Sequence, residues 1–391
     1  MKTVAAVQTE IGGKLLLEEI DFPDPAPDQV TVKLYSSGVG HSQLHQMHNP
    51  ALGRPLLLGH EGTGVVTRIG KNVTHVKEGD LCIVTWVPRS AIRGPMAREV
   101  TGATYKGQAA HANVFTWARD VQTSKELVVP IPQDHPHDLS CIVGCAVLTG
   151  AGAVMHTAKV RPGESVAVFG VGGVGLSAIR AASILEAYPI IAVDLDDSKL
   201  EFARSFGATH TVNASGNVDP VDVIHEISKG GVDYAFDAIG RQRTIEQILR
   251  AVRSGGIGAN NVGGTAVLVG VPQEKVTLDP ALFLYGQRIY RGSLGACCPD
   301  HDFPMYLRWH KEGKFPLDRR HPSLFARADQ RGVPRSPRRG DSRPRDHRIL
   351  NAILREMRRP RPGAGGVRRF KTYSATPVRP PASSPLPARG D

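Results

Sequence analysis

The chain has 391 residues, of which 41% are hydrophobic, 22% charged and 6% aromatic, and it contains no run of 18 apolar residues. This composition excludes a fibrous, membrane-spanning or wholly disordered protein, and the length favours two or three domains. The net charge of +11 is local, because residues 321–391 hold 17 Lys and Arg against 5 Asp and Glu, whereas the first 320 residues hold 31 against 32. The globular part therefore gives no electrostatic reason to expect a nucleic-acid partner.

Residues 1–146 contain short apolar runs separated by Gly and Pro, at 30–35, 62–69 and 81–87. Such runs, with turns at Asp24-Pro25 and 78–80, predict a β-rich domain. The five cysteines are too few and too irregular for a disulfide framework. Gln8 and Glu10 interrupt the start before the apolar core of a signal peptide develops, so we expect a cytoplasmic protein without a membrane partner.

The pattern changes near residue 150 to alternating strand and helix signals. Strands are expected at 165–169, 189–194, 232–236 and 266–271, and helices at 175–186 and 198–206. Alternation of this kind predicts parallel βαβ units in a doubly wound α/β sheet that is covered on both faces.

A glycine-rich turn follows the first of these strands. It matches the pattern G-x-G-x-x-G, and its residues are Gly170, Val171, Gly172, Gly173, Val174 and Gly175. Glycines there allow a tight turn, a close approach of the backbone to a pyrophosphate and close helix–strand packing. Asp194, 19 residues past Gly175, ends the next predicted strand and is placed to accept hydrogen bonds from a ribose. Together these features predict a Rossmann NAD site, since a carboxylate repels the 2′-phosphate of NADP.

Three polar residues upstream could together hold a divalent metal. His60 and Glu61 lie between glycines, and Cys145 lies near the change of pattern, so N, O and S ligands are available. An isolated histidine is more often structural than a ligand, and these residues do not form a compact ligand motif. The spacing alone leaves both interpretations open.

Several blocks, taken in order, resemble the zinc-type alcohol dehydrogenases of the medium-chain dehydrogenase/reductase superfamily. They lie at 38–45, 58–62, 76–80, 144–145, 169–175 and 231–237. The resemblance implies a GroES-like catalytic domain over 1–146, a Rossmann NAD-binding domain over 147–294 and a return to the catalytic domain over 295–320. It also implies interconversion of a small alcohol and an aldehyde or ketone with NAD, in a dimer or tetramer.

The resemblance implies roles for five residues of the catalytic domain. His60 and Cys145 match two ligands of a catalytic zinc, and Glu61 matches an acid that can approach the metal. Ser42 and His45 match the two ends of a relay that carries the alcohol proton to solvent. In this scheme zinc acts as a Lewis acid on the alcohol, which then gives hydride to the nicotinamide.

Four further matches concern the coenzyme. His41 matches a residue that faces the pyrophosphate, and Thr149 resembles a contact beside the nicotinamide. Asp194 and Lys199 match contacts to the adenosine ribose.

The sequence departs from the family pattern at the expected metal site. Gly40 stands where the first zinc ligand is a cysteine, and Gln43 replaces an acid. His60, Cys145 and an inward-swung Glu61 would still supply three ligands. The span 85–115 has no cysteine, so we expect no structural zinc. The alternatives are a zinc-free quinone or enone reductase of the same superfamily and an impaired product that only binds NAD.

Residues 321–391 contain 16 Arg and 11 Pro and show no sustained periodicity. We predict that this tail is disordered, because it is too poor in apolar residues to bury a core. With permitted codons, a one-base shift encodes a peptide that resembles the family's C-terminal helix and strand. We therefore interpret the tail as out of frame; the alternative is a genuine basic appendage.

Overall fold

A computed structural model of the chain describes residues 1–90, 102–112, 114–258 and 260–319. The first part contains two five-stranded sheets, with strand orders β4-β1-β2-β7-β8 and β10-β6-β5-β3-β9. Their strands are β1 (Lys2–Gln8), β2 (Leu15–Asp21), β3 (Gln29–Ser37), β4 (Leu56–Leu57), β5 (Gly62–Ile69), β6 (Leu81–Val84), β7 (Thr104–Tyr105), β8 (Gln108–Ala109), β9 (Asp120–Ser124) and β10 (Val128–Pro130).

These two sheets form the predicted β-rich domain. β1 and β2 pair antiparallel from Lys2–Asp21 to Gln8–Leu15, and β3 pairs antiparallel with both β5 and β9. The register between β3 and β5 shifts near Leu34, which marks a β-bulge. After β3, the Gly38 N–H donates to the Glu61 carbonyl at 3.1 Å, and helix α1 (His41–His48) follows. The predicted strand 81–87 is shorter than expected, because pairing ends at Val84.

The second part contains one six-stranded sheet in which every neighbouring pair is parallel. Its order is β13-β12-β11-β14-β15-β16, which is the 3-2-1-4-5-6 order of the Rossmann fold. The strands are β11 (Val166–Phe169), β12 (Ile190–Asp194), β13 (His210–Asn213), β14 (Tyr234–Asp237), β15 (Thr265–Leu268) and β16 (Ile289–Gly292). The predicted fold class, a doubly wound sheet joined to a GroES-like domain, is confirmed.

Helices cover both faces of this sheet. The helices that follow α1 in the chain are α2 (His137–Ser140), α3 (Ala146–Gly152), α4 (Gly173–Ile184), α5 (Asp197–Arg204), α6 (Pro220–Ser228), α7 (Gln242–Ala251), α8 (Ala281–Leu284) and α9 (Pro299–Lys311). Of these, α2 packs against β3 and β5 of the first part instead. α3 continues through a π-helical turn, Ala153–Ala158. Along β11, Val166 and Val168 pack into one core while Ala167 and Phe169 pack into another. Burial on both faces explains the unbroken apolar run in the sequence.

The helix boundaries differ from the sequence prediction by about one turn at most. α4 begins at Gly173, inside the glycine turn, and ends at Ile184, whereas the sequence predicted 175–186. α5 covers Asp197–Arg204, because Asp196 caps it by accepting hydrogen bonds from two backbone amides.

The chain then returns toward the first domain. α9 packs near β10 and α3. Arg89 and Asp300 form a two-pronged ion pair with both N···O distances at 2.6 Å, and Lys311 pairs with Asp134. The domain limits at 146, 294 and 320 stay predictions.

Two predictions lie outside the described residues. One is the disorder of the tail 321–391. The other is the absence of a structural zinc, whose expected span includes residues 91–101. In the described ranges, no single helix is long and apolar enough to cross a membrane; one pair, His137–Gly144 and Ala146–Ala158, meets that test jointly but bends by 49°.

His135 is a buried histidine between β10 and α9. It is 1% exposed, and within the described part of the chain neither ring nitrogen has a hydrogen-bond partner. Its ring meets that of His310 edge-on, with the centroids 5.8 Å apart. Burial, with His310 and Lys311 nearby, lowers the pKa of His135 to about 4.

This pKa predicts an acid-sensitive fold. A histidine with a lower pKa in the folded state opposes folding once protonated, so its effect is absent above about pH 6.5 and grows as the pH falls toward 4. In His135→Leu we expect a shallower loss of unfolding free energy over that range, measured by urea denaturation at several pH values. An equally steep loss in the variant would contradict the assignment to His135.

Candidate functional site

The glycine turn joins β11 to α4. Gly170 has φ +90°, a left-handed conformation that favours glycine, and a Cβ there would lie 2.5 Å from a carbon of Ile239. A Cβ on Gly175 would collide with the carbonyl oxygen of Gly170. Both glycines are therefore required for the chain to turn from strand to helix in so little space.

Gly172, immediately before α4, borders open space. Gly172 is the N-cap and makes no side-chain cap, and among the described residues no atom lies within 4 Å of where its Cβ would be. Gly173 and Val174 open the helix, so their N–H groups are among those without an intrahelical acceptor. This arrangement presents backbone donors and the positive end of the helix dipole to an anion.

Asp194 lies directly beside this turn. Its Oδ2 accepts a hydrogen bond from the Val171 backbone N–H at 2.9 Å, and its Oδ1 accepts one from Leu195 at 2.8 Å. Lys199 lies in the first turn of α5, where its N–H is 3.4 Å from the Asp196 carboxylate. The structure thus places Asp194 at the carboxyl end of β12, next to the glycine turn, and Lys199 in the helix that follows.

Helix α1 carries the predicted relay residues. His41 begins the helix and is exposed, and Ser42 Oγ lies 3.5 Å from His60 Nε2. His45 follows one turn later and faces the second domain, with its Nε2 3.4 Å from Gln273 Nε2. Burial, with Arg241 and His48 nearby, lowers the pKa of His45, so its ring is neutral and able to accept a proton near pH 7.

His60 and Cys145 are in direct contact. His60 Nε2 lies 3.1 Å from Cys145 Sγ, although the two residues are 85 positions apart. Burial lowers the pKa of His60 to about 4 and, with Glu61 nearby, raises that of the Cys145 thiol above its usual range. Cys145 ends a short 3-10 turn and begins α3, and the Thr149 N–H bonds back to its carbonyl at 2.9 Å.

Glu61 follows His60 in the chain and lies near Cys145. It is 3% exposed, its carboxylate accepts a hydrogen bond from the Ala146 backbone, and its Oε2 has no partner in the described part of the chain. The carboxylate packs against Gly38, where any Cβ would collide with it. Burial raises the pKa of Glu61 to about 8.

The donor set fits zinc in chemistry. Imidazole, thiol and carboxylate are all zinc ligands, and a bound cation would satisfy the orphaned oxygen of Glu61. The positions are not those of a formed site: among the described residues, no three His, Cys, Asp or Glu side chains are grouped to hold a metal. Tetrahedral zinc would separate an imidazole nitrogen from a thiolate sulfur by about 3.5 Å, more than the contact between His60 and Cys145. The predicted set of three ligands stays a prediction.

Sequence reasoning missed several neighbours of these residues. Trp86 lies beside His60, with ring centroids 6.3 Å apart, and the side chain of Gln43 contacts the same ring. Gln273 and Arg241 reach toward α1 from loops of the second domain. A single sequence offers no signal for such contacts, because they depend on how the two domains meet.

Comparison with known families agrees with this architecture. Residues 26–133 match the profile of the alcohol dehydrogenase GroES-like domain, and residues 173–312 match that of the zinc-binding dehydrogenases.

Individual proteins match over most of the chain. An alcohol dehydrogenase class-3 from Cereibacter sphaeroides is 32% identical over 81% of this chain and 92% of its own length. An S-(hydroxymethyl)glutathione dehydrogenase from Escherichia coli is 33% identical over 75% of this chain and 85% of its own.

Solved structures agree with these matches. A crystal structure of an alcohol dehydrogenase zinc-binding domain protein from Burkholderia ambifaria has 32% identity and a TM-score of 0.73, covering 81% of this chain and 91% of its own. Benzyl alcohol dehydrogenase from Acinetobacter calcoaceticus has 29% identity, the same TM-score and the same coverages.

Restoring a thiol at position 40 tests the metal site. A Cβ on Gly40 would lie 3.1 Å from Gln43 Oε1 and 3.3 Å from Ser42 Oγ, so its side chain would point into the cluster around His60. We expect Gly40→Cys to raise zinc affinity at least about tenfold, since a further thiolate joins the donors. Gly40→Ser is the matched control, with nearly the same bulk and no thiolate. Equal zinc content in both variants after dialysis would contradict the placement.

Proposed function

The chain belongs to the zinc-type alcohol dehydrogenases of the medium-chain dehydrogenase/reductase superfamily, and we propose that it uses NAD and one zinc ion. As a member of that family it is an oxidoreductase that interconverts an alcohol and an aldehyde or ketone. The observation that carries the NAD proposal is the open space at Gly172, just before the first turn of α4, with Asp194 beside it.

Bound NAD would supply the hydride acceptor for the alcohol carbon. The backbone N–H groups of Gly172, Gly173 and Val174 bind its pyrophosphate, and exposed His41 faces the same group from α1. Asp194 accepts hydrogen bonds from the adenosine ribose, and Lys199 lies beside it. Thr149, in the helix after Cys145, lies on the nicotinamide side.

The chain's own residues also supply a route for the alcohol proton. Ser42, near His60, is the inner end of the route, and His45 at the domain boundary is its outer end. A neutral imidazole at His45 can accept the proton and release it to water.

We assign the metal to His60, Cys145 and Glu61. Zinc bound there would act as a Lewis acid on the alcohol oxygen. His60 and Cys145 already lie in contact, and zinc would move their donor atoms slightly apart; Glu61 supplies a buried carboxylate with an oxygen that has no partner among the described residues.

For substrate and assembly the proposal is broad. The relatives' names, which include benzyl alcohol dehydrogenase and S-(hydroxymethyl)glutathione dehydrogenase, favour a small-molecule alcohol or aldehyde. We further propose a cytoplasmic homo-oligomer, a dimer or tetramer.

Two observations favour a second candidate function. Gly40 has no side chain, and His60 contacts Cys145 directly. These features suit a zinc-free reductase of activated carbonyls or enones in the same superfamily.

A glycine-to-alanine pair tests the proposed function. A Cβ on Gly172 meets nothing in the described residues, so Gly172→Ala should fold normally yet occupy the space of the pyrophosphate. We expect at least about tenfold weaker NADH binding by fluorescence titration, and slower alcohol-dependent NADH formation, in this variant. Gly216→Ala also adds its methyl to open space and is the matched control. Wild-type protein that binds no NADH and oxidises no alcohol in a panel with added zinc would refute the proposed function.

A substitution at Asp194 tests the preference for NAD over NADP. Asp194→Asn removes the negative charge and keeps an oxygen that can accept from the Val171 N–H. Because the carboxylate repels a 2′-phosphate, we expect the ratio of NADP to NAD affinity to rise about tenfold or more. Calorimetric titration of both coenzymes measures the ratio, and an unchanged ratio would place the adenosine ribose elsewhere.

A further inference from the structure

Asp237 is a buried acid to which the proposed function gives no role. It ends β14 at the carboxyl edge of the sheet and is 0% exposed. Its register partner on β11 is Phe169, the residue before the glycine turn. Burial raises the pKa of the Asp237 carboxyl, and a buried acid is costly unless hydrogen-bond donors satisfy it.

The donors to Asp237 come from residues 238–241, which we call the β14 turn. Asp237 Oδ1 accepts a hydrogen bond from the Ile239 backbone N–H at 2.9 Å, and Oδ2 accepts one from the Gly240 N–H at 3.0 Å. The side chain of Thr244, in the first turn of α7, also bonds to the carboxyl. Because a carboxylate is an acceptor at both oxygens, this one side chain holds two consecutive N–H groups and fixes the path of the turn.

One side of the β14 turn lies against the glycine turn. A Cβ on Gly170 would lie 2.5 Å from Ile239 Cγ1, so the isoleucine side chain fills the space beside that glycine. The Ala238 N–H donates to the Phe169 carbonyl at 2.9 Å, which ties the same turn to the end of β11. A shift of the β14 turn would therefore move a surface against which the glycine turn packs.

The other side of the β14 turn meets the loop after β15. Gly240 has φ +84°, a Cβ there would collide with the Val271 carbonyl oxygen, and its own carbonyl accepts from the Gln273 N–H at 3.2 Å. Gln273 Nε2 lies 3.4 Å from His45 Nε2, and Arg241, the last residue of the turn, also lies near His45. The β14 turn thus contacts both the glycine turn and the residues that face His45.

We propose that Asp237 is a positioning residue, whose carboxylate holds the β14 turn so that the glycine turn and Gln273 keep the places at which they serve the coenzyme and His45. Because Asp237 is fully buried, it acts through the turn and not on substrate or coenzyme. Its role in coenzyme binding rests on the proposed function, whereas the coupling of the two loops through the β14 turn does not.

Asp237→Asn and Asp233→Asn form a matched pair of variants. Asp233 precedes β14 at the opposite edge of the sheet, where its carboxylate accepts from the Ser165 N–H at 2.9 Å and pairs with Arg253. Each substitution thus removes a carboxylate that accepts from a backbone N–H at one end of the same strand. In Asp237→Asn, the new NH₂ group would face an N–H of the β14 turn and leave two donors opposed.

Hydrogen–deuterium exchange of the full-length chain without added coenzyme tests the coupling and needs no activity. At a temperature where circular dichroism shows both variants folded, we expect Asp237→Asn to speed amide exchange about tenfold or more in residues 239–241 and 271–274. Asp233→Asn should leave both segments at the wild-type rate. Wild-type exchange in residues 271–274 of Asp237→Asn, or equal increases in both variants, would overturn the proposal.

Fluorescence titration with NADH separates positioning from stability. We expect about tenfold weaker NADH binding in Asp237→Asn and at most about a twofold change in Asp233→Asn, even where both variants unfold at lower urea concentrations. If Asp237 only stabilised the fold, folded Asp237→Asn would bind NADH as the wild type does, and that result would overturn the role in coenzyme binding. Wild-type protein that binds no NADH would count against the proposed function alone, because exchange still tests the coupling.

Discussion

The close approach of the α4 backbone to the end of β11 is the contact on which the site depends. Gly175 lies so near the carbonyl of Gly170 that no other residue fits, and this brings the helix N-terminus over the carboxyl edge of the sheet. Asp194 reaches the same edge from β12 and bonds to the turn itself through Val171. Helix dipole, unpaired donors and carboxylate therefore converge without any long or flexible loop.

The second helix contact ties this edge to the catalytic domain. Gly150 of α3 packs against the backbone of Val174, and a Cβ at Gly150 would collide with the Val174 carbonyl. Since α3 begins directly after Cys145, the position of the Cys145 thiol follows from the position of the glycine turn. Rigid helix packing, rather than loop geometry, sets the distance between the two halves of the site.

Much of this architecture was predictable because it depends on local patterns. The buried strands, the glycine turn and the acid that ends β12 each leave a signature of adjacent residues, and the structure has them within a few positions of the expected places. The arrangement around His60 and Cys145 was less accessible from the sequence. That Gln43 contacts His60, or that Glu61 bonds to Ala146, depends on contacts between separate segments and on side-chain orientation, which no periodicity records. Gly40 was visible as a missing ligand, but its contact with the Gln43 side chain required the fold.

The approach of His45 to Gln273 has a consequence for the timing of catalysis. His45 belongs to the first domain and Gln273 to the loop after β15 in the second, so both domains meet at the residue proposed as the outer end of the proton route. A hinge motion that admits or releases a coenzyme would separate these two side chains and change how water reaches His45. In the proposed mechanism, proton departure and coenzyme exchange would then share one gate.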